Sequence, residues 1–297
     1  MPLSNLAHSQ VTHSSYRELG RTGLAQFPVG LGAMPLSMRG RPDEEHALNV
    51  LYAAFDAGMN FIDTANAYCL GADDIGHNER LIQKALKAAG KINTITIATK
   101  GGVDRLHGKV DSSPAYLRES CINSLRNLER DSITLYQLHS PDDNVPFADS
   151  IGELSRLKEE GKIEHIGLCN VSLAQLHAAQ AIVRIESVQN ACNPANPADY
   201  TNGLLEACIE QGVSFLPHSV IGGKSFSTTI ANHALFVELG KKYDISPYVV
   251  VIAWHLSKSD RVIPIPGASQ PKSAISSASA WRTTLSADDI RHIDAVH

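Results

Sequence analysis

Four residues that can bind or release a proton follow one another along the chain, each at or just past the end of a short apolar run. Asp63 ends the first run and Tyr68 follows it, whereas Lys100 ends the second run and His139 ends the third. A phenol with a pKa of about 10 is a weak acid at neutral pH. A nearby ammonium lowers that pKa, and a carboxylate can hold the ammonium in place. A histidine can polarise a carbonyl oxygen by hydrogen bonding. The set therefore predicts carbonyl reduction, in which a nicotinamide supplies the hydride and the protein supplies the proton.

Each of the four residues also has an ordinary structural explanation when it is taken alone. Asp63 could cap a helix, and Tyr68 could be a packing residue with a satisfied hydroxyl. Lys100 could be a solvated surface charge, and His139 could be structural. The order of all four on successive strands favours the catalytic interpretation.

Longer segments around these residues resemble those of the aldo-keto reductases. Residues Tyr16 to Leu24 are similar to an N-terminal β-hairpin of that family, and Gly58 to Ala65 with Tyr68 are similar to its first signature. The lysine and histidine segments match in order and spacing, and Ile263 to Gly267 is similar to a segment that binds the cofactor phosphate. The similarity covers residues 16–295. It implies a (β/α)8 TIM barrel preceded by a β-hairpin.

The resemblance also implies roles for the four residues. Tyr68 would be the general acid, Lys100 and Asp63 the partners that lower its pKa, and His139 the hydrogen-bond donor that orients a small-molecule aldehyde or ketone. The cofactor would be NADPH, with NADH as the other possibility. The alternative is a cofactor-binding regulatory protein with negligible turnover, because the family contains potassium-channel β-subunits. The intact set of four argues for the enzyme.

Cofactor contacts are implied at the ends of the later strands. Asn170 and Gln189 match residues that bind the carboxamide, whereas Cys169 replaces the usual serine beside Asn170. His218 would stack on the nicotinamide, or it is a loop histidine exposed to water. The remaining implied contacts lie in a glycine-containing loop, which could equally be an ordinary flexible loop, and at the start of a late helix that favours phosphate. They are Ser219, Gly223, Lys224, Gly267, Ser269, Lys272, Ser273 and Ser277.

Eight short apolar runs alternate with amphipathic segments and would position these side chains. Strands that alternate with helices predict βαβ units and a parallel sheet, and eight of them predict a TIM barrel whose active site lies at the carboxyl ends of the strands. The runs are Val29–Gly32, Asn60–Asp63, Thr94–Thr99, Ile133–His139, His165–Leu168, Ser187–Asn190, Val213–Leu216 and Arg261–Ile265. The clearest helical patterns span Glu44–Ala57, Asn78–Ala89, Pro114–Leu128 and Ser150–Glu160.

Length and composition are consistent with this architecture. The 297 residues, 43% of them hydrophobic, suit a single barrel domain over residues 16–297, with residues 1–15 as a flexible tail. A net charge of −5 gives no reason to expect binding to nucleic acid or to an anionic membrane. No apolar stretch reaches about 18 residues, so we expect no membrane span.

The spacing of the cysteines and histidines gives expectations about the redox compartment and about metal binding. The five cysteines include no CxxC pair, which favours a reducing compartment and hence a cytoplasmic location. His77, His107 and His139 do not have the HxH or HExxH spacing of a zinc site, so we expect no metal. The pattern leaves the oligomeric state and the physiological substrate open.

Overall fold

The computed structural model describes residues 16–296, with residues 223–227 described by their backbone alone. A β-hairpin is followed by a seven-stranded parallel sheet whose strands neighbour one another in chain order. A second hairpin follows the third strand of this sheet along the chain. The strands are β1 (Arg17–Glu18), β2 (Ala25–Gln26), β3 (Leu31–Gly32), β4 (Phe61–Asp63), β5 (Thr96–Gly101), β6 (Val103–Asp104), β7 (Lys109–Val110), β8 (Ile133–Leu138), β9 (Ile163–Cys169), β10 (Ser187–Gln189) and β11 (Ser214–Phe215).

An eighth segment, residues 261–267, closes the sheet into a barrel. On one side the Ile263 N–H donates to the Phe215 carbonyl of β11 at 2.9 Å. On the other side the Gly30 N–H, just before β3, donates to the Pro264 carbonyl at 2.9 Å. Pro264 and Pro266 have no N–H, so this segment forms isolated bridges rather than a regular strand. The predicted (β/α)8 barrel with an N-terminal hairpin is confirmed.

Helices cover the outside of the sheet. They are α1 (Glu44–Asp56), α2 (His77–Ala89), α3 (Pro114–Leu128), α4 (Phe147–Glu159), α5 (Leu173–Gln180), α6 (Leu204–Glu210), α7 (Gly223–Asn232), α8 (Ala234–Tyr243), α9 (Pro247–Leu256), α10 (Pro271–Ser279) and α11 (Ala287–Asp294). None of the helices within residues 16–296 is long and apolar enough to cross a membrane.

Local sequence explains where several helices begin and end. Asp43 caps α1 by accepting from the His46 N–H at 2.8 Å, and Ser113 caps α3 ahead of Pro114. Gly90 ends α2 with a φ of 65°, a left-handed conformation that glycine adopts without a steric penalty.

The structure differs from the sequence prediction at several element boundaries. Helix α4 begins at Phe147, before the predicted Ser150. The strand predicted over 94–99 lies at Thr96–Gly101, because Thr94 belongs to a turn in which its N–H donates to the Lys91 carbonyl at 3.1 Å. The predicted tail at residues 1–15 lies outside the described residues, so the boundary of the single domain stays a prediction.

Apolar side chains form two layers, one inside the barrel and one between the sheet and the helices. The inner layer includes Phe61 of β4 and Leu135 of β8, and Leu19 of the first hairpin enters it from the amino end of the barrel. Leu19 is fully buried. The hairpin therefore closes the end of the barrel opposite to the predicted active site.

Arg17 fastens that hairpin to the rest of the chain. Its buried guanidinium donates to the carbonyls of Leu256 at 2.9 Å, Ser259 at 2.8 Å and Val262. Burial lowers the pKa of Arg17 to about 10, and nearby Asp260 acts in the opposite direction. One side chain thus links β1 to the segment that completes the barrel.

Replacing Arg17 by leucine should therefore destabilise the whole barrel. The buried carbonyls would lose their donors, and each unsatisfied group costs about 1–3 kcal/mol, so we expect a loss of roughly 2–5 kcal/mol. Urea unfolding followed by circular dichroism measures the change. The control is Arg291→Leu, because the Arg291 side chain is 67% exposed. Equal unfolding midpoints for the two variants would show that the Arg17 contacts contribute little.

Candidate active site

Lys100 lies at the centre of a buried polar cluster at the carboxyl end of the barrel. Its Nζ donates to Asp63 Oδ2 at 2.6 Å, to the Thr64 carbonyl at 2.8 Å and to the Tyr68 hydroxyl at 3.1 Å. The side chain is 1% exposed. Burial acts to lower the pKa of Lys100, but Asp63 and Tyr68 outweigh it and leave that pKa above its usual value. The ammonium is therefore charged and has an acceptor for each of its three protons.

Sheet register brings Lys100 and Asp63 together. Asp63 ends β4 opposite Ala98 of the neighbouring parallel strand β5, and Lys100 lies two residues further along β5. Side chains two residues apart on a strand point to the same face. Lys100 therefore projects beyond the end of β4, where it meets Asp63 and the loop that carries Tyr68.

The Asp63 carboxylate has amide donors as well as the ammonium. Its Oδ1 accepts from Gln189 Nε2 at 2.7 Å and from Gln137 Nε2 at 3.3 Å. Gln137 and Gln189 are buried on β8 and β10, with their side chains inside the barrel. These donors hold the carboxylate in the orientation that Lys100 requires.

Tyr68 lies half-buried with its hydroxyl on the ammonium. Burial raises the pKa of Tyr68 to about 12, and Lys100 acts in the opposite direction. Lys100 acts in the predicted direction, whereas Asp63 acts to raise the pKa of Tyr68 rather than to lower it as predicted. The net pKa of Tyr68 is above its ordinary value rather than below it. Tyr68 is therefore protonated at neutral pH, with a cation 3.1 Å from its oxygen.

His139 packs edge-on against Tyr68, with ring centroids 5.8 Å apart. Burial, with the Lys100 charge as a second cause, lowers the pKa of His139 to about 3, so the ring is neutral at pH 7. Its Nδ1 is buried and has no hydrogen-bond partner within the described part of the chain. An orphaned buried N–H is rarer than an orphaned acceptor. This favours the tautomer with the proton on Nε2, which makes Nε2 the available donor.

The predicted carboxamide-binding residues lie beside this cluster. Asn170 has a left-handed backbone with a φ of 56°, and its Nδ2 donates to the His139 carbonyl at 2.9 Å. Its Oδ1 lies 3.3 Å from Nε2 of His218. The other ring nitrogen of His218 lies 3.0 Å from the Ser219 hydroxyl. Gln189 already donates to Asp63, which leaves its Oε1 as an acceptor.

The predicted phosphate-binding residues fall into two groups, one around the start of α10 and one at the start of α7. Gly267 forms a bridge to Gly32 of β3, and a side chain at Gly267 would approach Pro35 to 2.8 Å. Ser269 and Lys272 are exposed, whereas Ser273 and Ser277 are half-buried. Gly223 begins α7, but the side chain of Lys224 lies outside the described residues.

Two residues of the cluster were not predicted from the sequence. Gln137 donates to Asp63, and the Thr64 carbonyl accepts from Lys100. A signal for Gln137 was present, because it precedes His139, the residue just past β8, by two positions and so shares its side of the chain. No pattern indicates Thr64, because its contribution is a backbone carbonyl.

The cysteines carry no cross-link. All five are free and buried. Burial raises the pKa of Cys169 well above its usual value, so this residue lies in the cluster as a neutral thiol. Over residues 16–296 no group of three or more side chains could hold a metal ion.

Comparison with known proteins gives a consistent picture. Residues 28–297 match the model of the aldo/keto reductase family. The chain is 31% identical over 307 residues to a probable aldo-keto reductase 1 of Glycine max, covering 93% of this chain and 87% of the other. A thermostable aldo-keto reductase solved with the inhibitor epalrestat is 26% identical and superposes with a TM-score of 0.81, covering 95% of this chain and 99% of the other.

A more distant structure shares the fold. An aldo/keto reductase from Klebsiella pneumoniae, solved with NADP and acetate, is 21% identical with a TM-score of 0.79, and the match covers 94% of each chain.

Removing one partner of the Lys100–Asp63 pair should be costly. Lys100→Met leaves a buried carboxylate without its cation, which typically costs about 3–5 kcal/mol. Adding Asp63→Asn should recover much of that loss, because the buried charge is then gone. Urea unfolding of both single variants and the double variant gives the coupling free energy between Lys100 and Asp63. The control is Lys84→Met, which removes an ion pair whose partners are 57% and 58% exposed. It should change the free energy of unfolding little. Additive losses would mean that the two charges do not stabilise each other.

Proposed function

Because this chain belongs to the aldo/keto reductase family, we propose that it reduces an aldehyde or ketone to an alcohol with NADPH, and that Tyr68 donates the proton. The observation that carries the proposal is the contact of one buried ammonium with both a carboxylate and a phenol. An ion pair that only stabilised the fold would not require a contact with a phenol. A tyrosine that only filled space in the core would not require a contact with an ammonium.

The proposed proton transfer would use the residues of this cluster. A bound reduced nicotinamide would supply the hydride to the carbonyl carbon, and Tyr68 would give its proton to the carbonyl oxygen. A pKa of about 12 keeps Tyr68 protonated until that moment. The phenolate that remains is stabilised by Lys100, whose charge Asp63 holds in place. Neutral His139 can donate from Nε2 to the same carbonyl oxygen and so fix its position.

The residues present fit a nicotinamide. Its carboxamide offers two N–H donors and a carbonyl acceptor, and the Oε1 of Gln189 and the amide of Asn170 are complementary to them. His218 lies against Asn170, where its ring could stack on the nicotinamide. Burial lowers the pKa of His218 to about 4, so its ring is neutral.

Exposed side chains on the loops at the carboxyl end of the barrel, around the entrance to the site, suggest a substrate with an apolar part. Met34 and Leu70 are 46% and 54% exposed, on the loops that follow β3 and β4. Leu106, between β6 and β7, is 48% exposed. By contrast, Leu36 is fully buried and contributes to the core. Exposed apolar side chains at the carboxyl end of the barrel favour an aldehyde or ketone with a hydrophobic substituent.

Tyr68→Phe should abolish most of the activity while leaving the ring packing intact. A positioned general acid contributes about 10²–10⁴-fold, so we expect turnover to fall within that range. NADPH affinity, measured by fluorescence titration, should stay close to wild type. The assay is NADPH oxidation with a panel of aldehydes, and Tyr248→Phe on α9 is the control.

Two outcomes would contradict this assignment. Near-wild-type turnover of Tyr68→Phe would remove Tyr68 from the mechanism. A wild type that binds NADPH but turns over no carbonyl of the panel would favour the regulatory alternative.

In this proposal, the residues at the start of α10 set the preference between NADPH and NADH. Lysine binds phosphate as a point charge, whereas arginine can form two parallel hydrogen bonds. Between Arg261 and Arg282 the chain has Lys272 and serines but no arginine, and Arg282 stacks over Trp281 at 4.8 Å. We therefore expect a preference for NADPH over NADH that is modest and depends on Lys272.

Titration of both cofactors measures that preference. Lys272→Met should weaken NADPH by about tenfold, the equivalent of one charge-assisted hydrogen bond, and should leave NADH unchanged. Ser273→Arg should tighten NADPH selectively. Lys241→Met, at the end of α8, is the matched control. Equal affinity of the wild type for the two cofactors would show that Lys272 does not hold the 2′-phosphate.

A further inference from the structure

Asn78 lies behind the catalytic cluster, in the first turn of α2, and its side chain is fully buried. Its Oδ1 accepts from the Thr64 hydroxyl at 2.6 Å. Its Nδ2 donates to the Ala33 carbonyl at 2.9 Å and to the Ser37 hydroxyl at 2.6 Å. Thr64 follows β4, whereas Ala33 and Ser37 belong to the loop after β3. One amide therefore joins the ends of two neighbouring barrel strands to the start of a helix.

Thr64 connects this amide to the catalytic ammonium. Its hydroxyl donates to Asn78, and its carbonyl accepts from Lys100 Nζ at 2.8 Å. Thr64 also follows Asp63 directly along the chain. The position of Thr64 therefore governs two of the three acceptors around Lys100, its own carbonyl and the neighbouring carboxylate.

The start of α2 is itself anchored to β5. Glu79, the residue after Asn78, is fully buried and accepts from the Thr99 hydroxyl at 2.6 Å and from Asn127 Nδ2 at 2.9 Å. Thr99 is the neighbour of Lys100 on β5. The first turn of α2 thus contacts the strand of Lys100 through Glu79 and the end of the strand of Asp63 through Asn78. Asn78 is therefore held in a defined position relative to both Lys100 and Asp63.

We infer that Asn78 is a positioning residue of the proposed reductase, holding Thr64 so that Lys100 stays on the Tyr68 hydroxyl. The inference rests on the proposed function. An amide suits the place because it accepts from Thr64 with one atom and donates to the Ala33 carbonyl with the other. An aspartate would turn an acceptor towards that carbonyl, and a leucine would satisfy neither partner.

The kinetic test uses Thr64→Val, with Asn78→Leu as a second variant. Valine keeps the shape of threonine and the carbonyl that binds Lys100, but it removes the hydroxyl that reaches Asn78. We expect kcat for reduction to fall about tenfold, the effect of one hydrogen bond that supports a charged group, with KM little changed. The pH profile of alcohol oxidation should move to higher pH, because a displaced ammonium lowers the Tyr68 pKa less.

The matched control is Thr96→Val, at the other end of β5. The Thr96 hydroxyl accepts from Gln26 Nε2 at 3.0 Å, so this variant also loses one hydroxyl that bonds to an amide. It should change thermal stability to a similar degree and leave both kcat and the pH profile as in the wild type. If Thr64→Val lowers stability but keeps the wild-type kcat and pH profile, Asn78 has a structural role only and the inference is wrong.

A second readout does not depend on turnover. In protein labelled with ¹³C at the tyrosine ζ carbon, the Tyr68 signal is identified by its loss in Tyr68→Phe. It should shift in Thr64→Val and Asn78→Leu, because the hydrogen bond from Lys100 changes, and it should stay in place in Thr96→Val. An unmoved signal in Thr64→Val would overturn the inference. A wild type without reductase activity would refute the proposed function, and the NMR comparison would still decide whether Asn78 places Lys100.

Discussion

A charged ammonium inside a protein needs an acceptor for each of its protons, and the environment of Lys100 supplies three. They come from Asp63, from the Thr64 backbone and from Tyr68. Burying such a charge without partners would cost several kcal/mol. Most of the polar structure at the carboxyl end of the barrel can be understood as meeting this requirement, and two of the three acceptors are fixed by the strand that ends at Asp63.

The two ends of the barrel interior differ, because the amino end is apolar and the carboxyl end carries the polar cluster. Towards its amino end it is filled by apolar side chains such as Phe61 and Ile263, and Leu19 of the hairpin closes it. Towards its carboxyl end Gln137 and Gln189 point inward and donate to Asp63. The polar cluster is therefore held by rigid strands, while the side chains that face the entrance come from loops. This division is typical of TIM barrels.

Burial affects each ionisable group of the site differently. It keeps Tyr68 protonated and leaves His139 and His218 neutral, whereas the carboxylate of Asp63 keeps Lys100 charged. The cluster thus holds a neutral acid and a neutral hydrogen-bond donor beside one fixed cation. In the proposed reaction this combination would give a proton to a carbonyl oxygen and stabilise the phenolate that results, provided that Lys100 does not move.

Periodicity and the order of residue types were enough to predict the barrel and the residues Asp63, Tyr68 and Lys100, which the structure brings into direct contact. Those features are local, because a strand's apolar pattern and the residue at its end can be read along the chain. The eighth strand was predicted from apolar residues, but its two prolines reduce it to bridges, since proline cannot donate to a ladder.

Contacts between distant segments could not be predicted in this way. The Thr64 carbonyl and Asn78 act through partners on other strands and loops, and no spacing in the chain encodes them. For Gln137 the spacing from His139 indicates the face of the strand, but not the contact with Asp63. The net pKa of Tyr68 was likewise decided by tertiary structure, because burial opposes Lys100 and depends on every element that excludes water from the phenol.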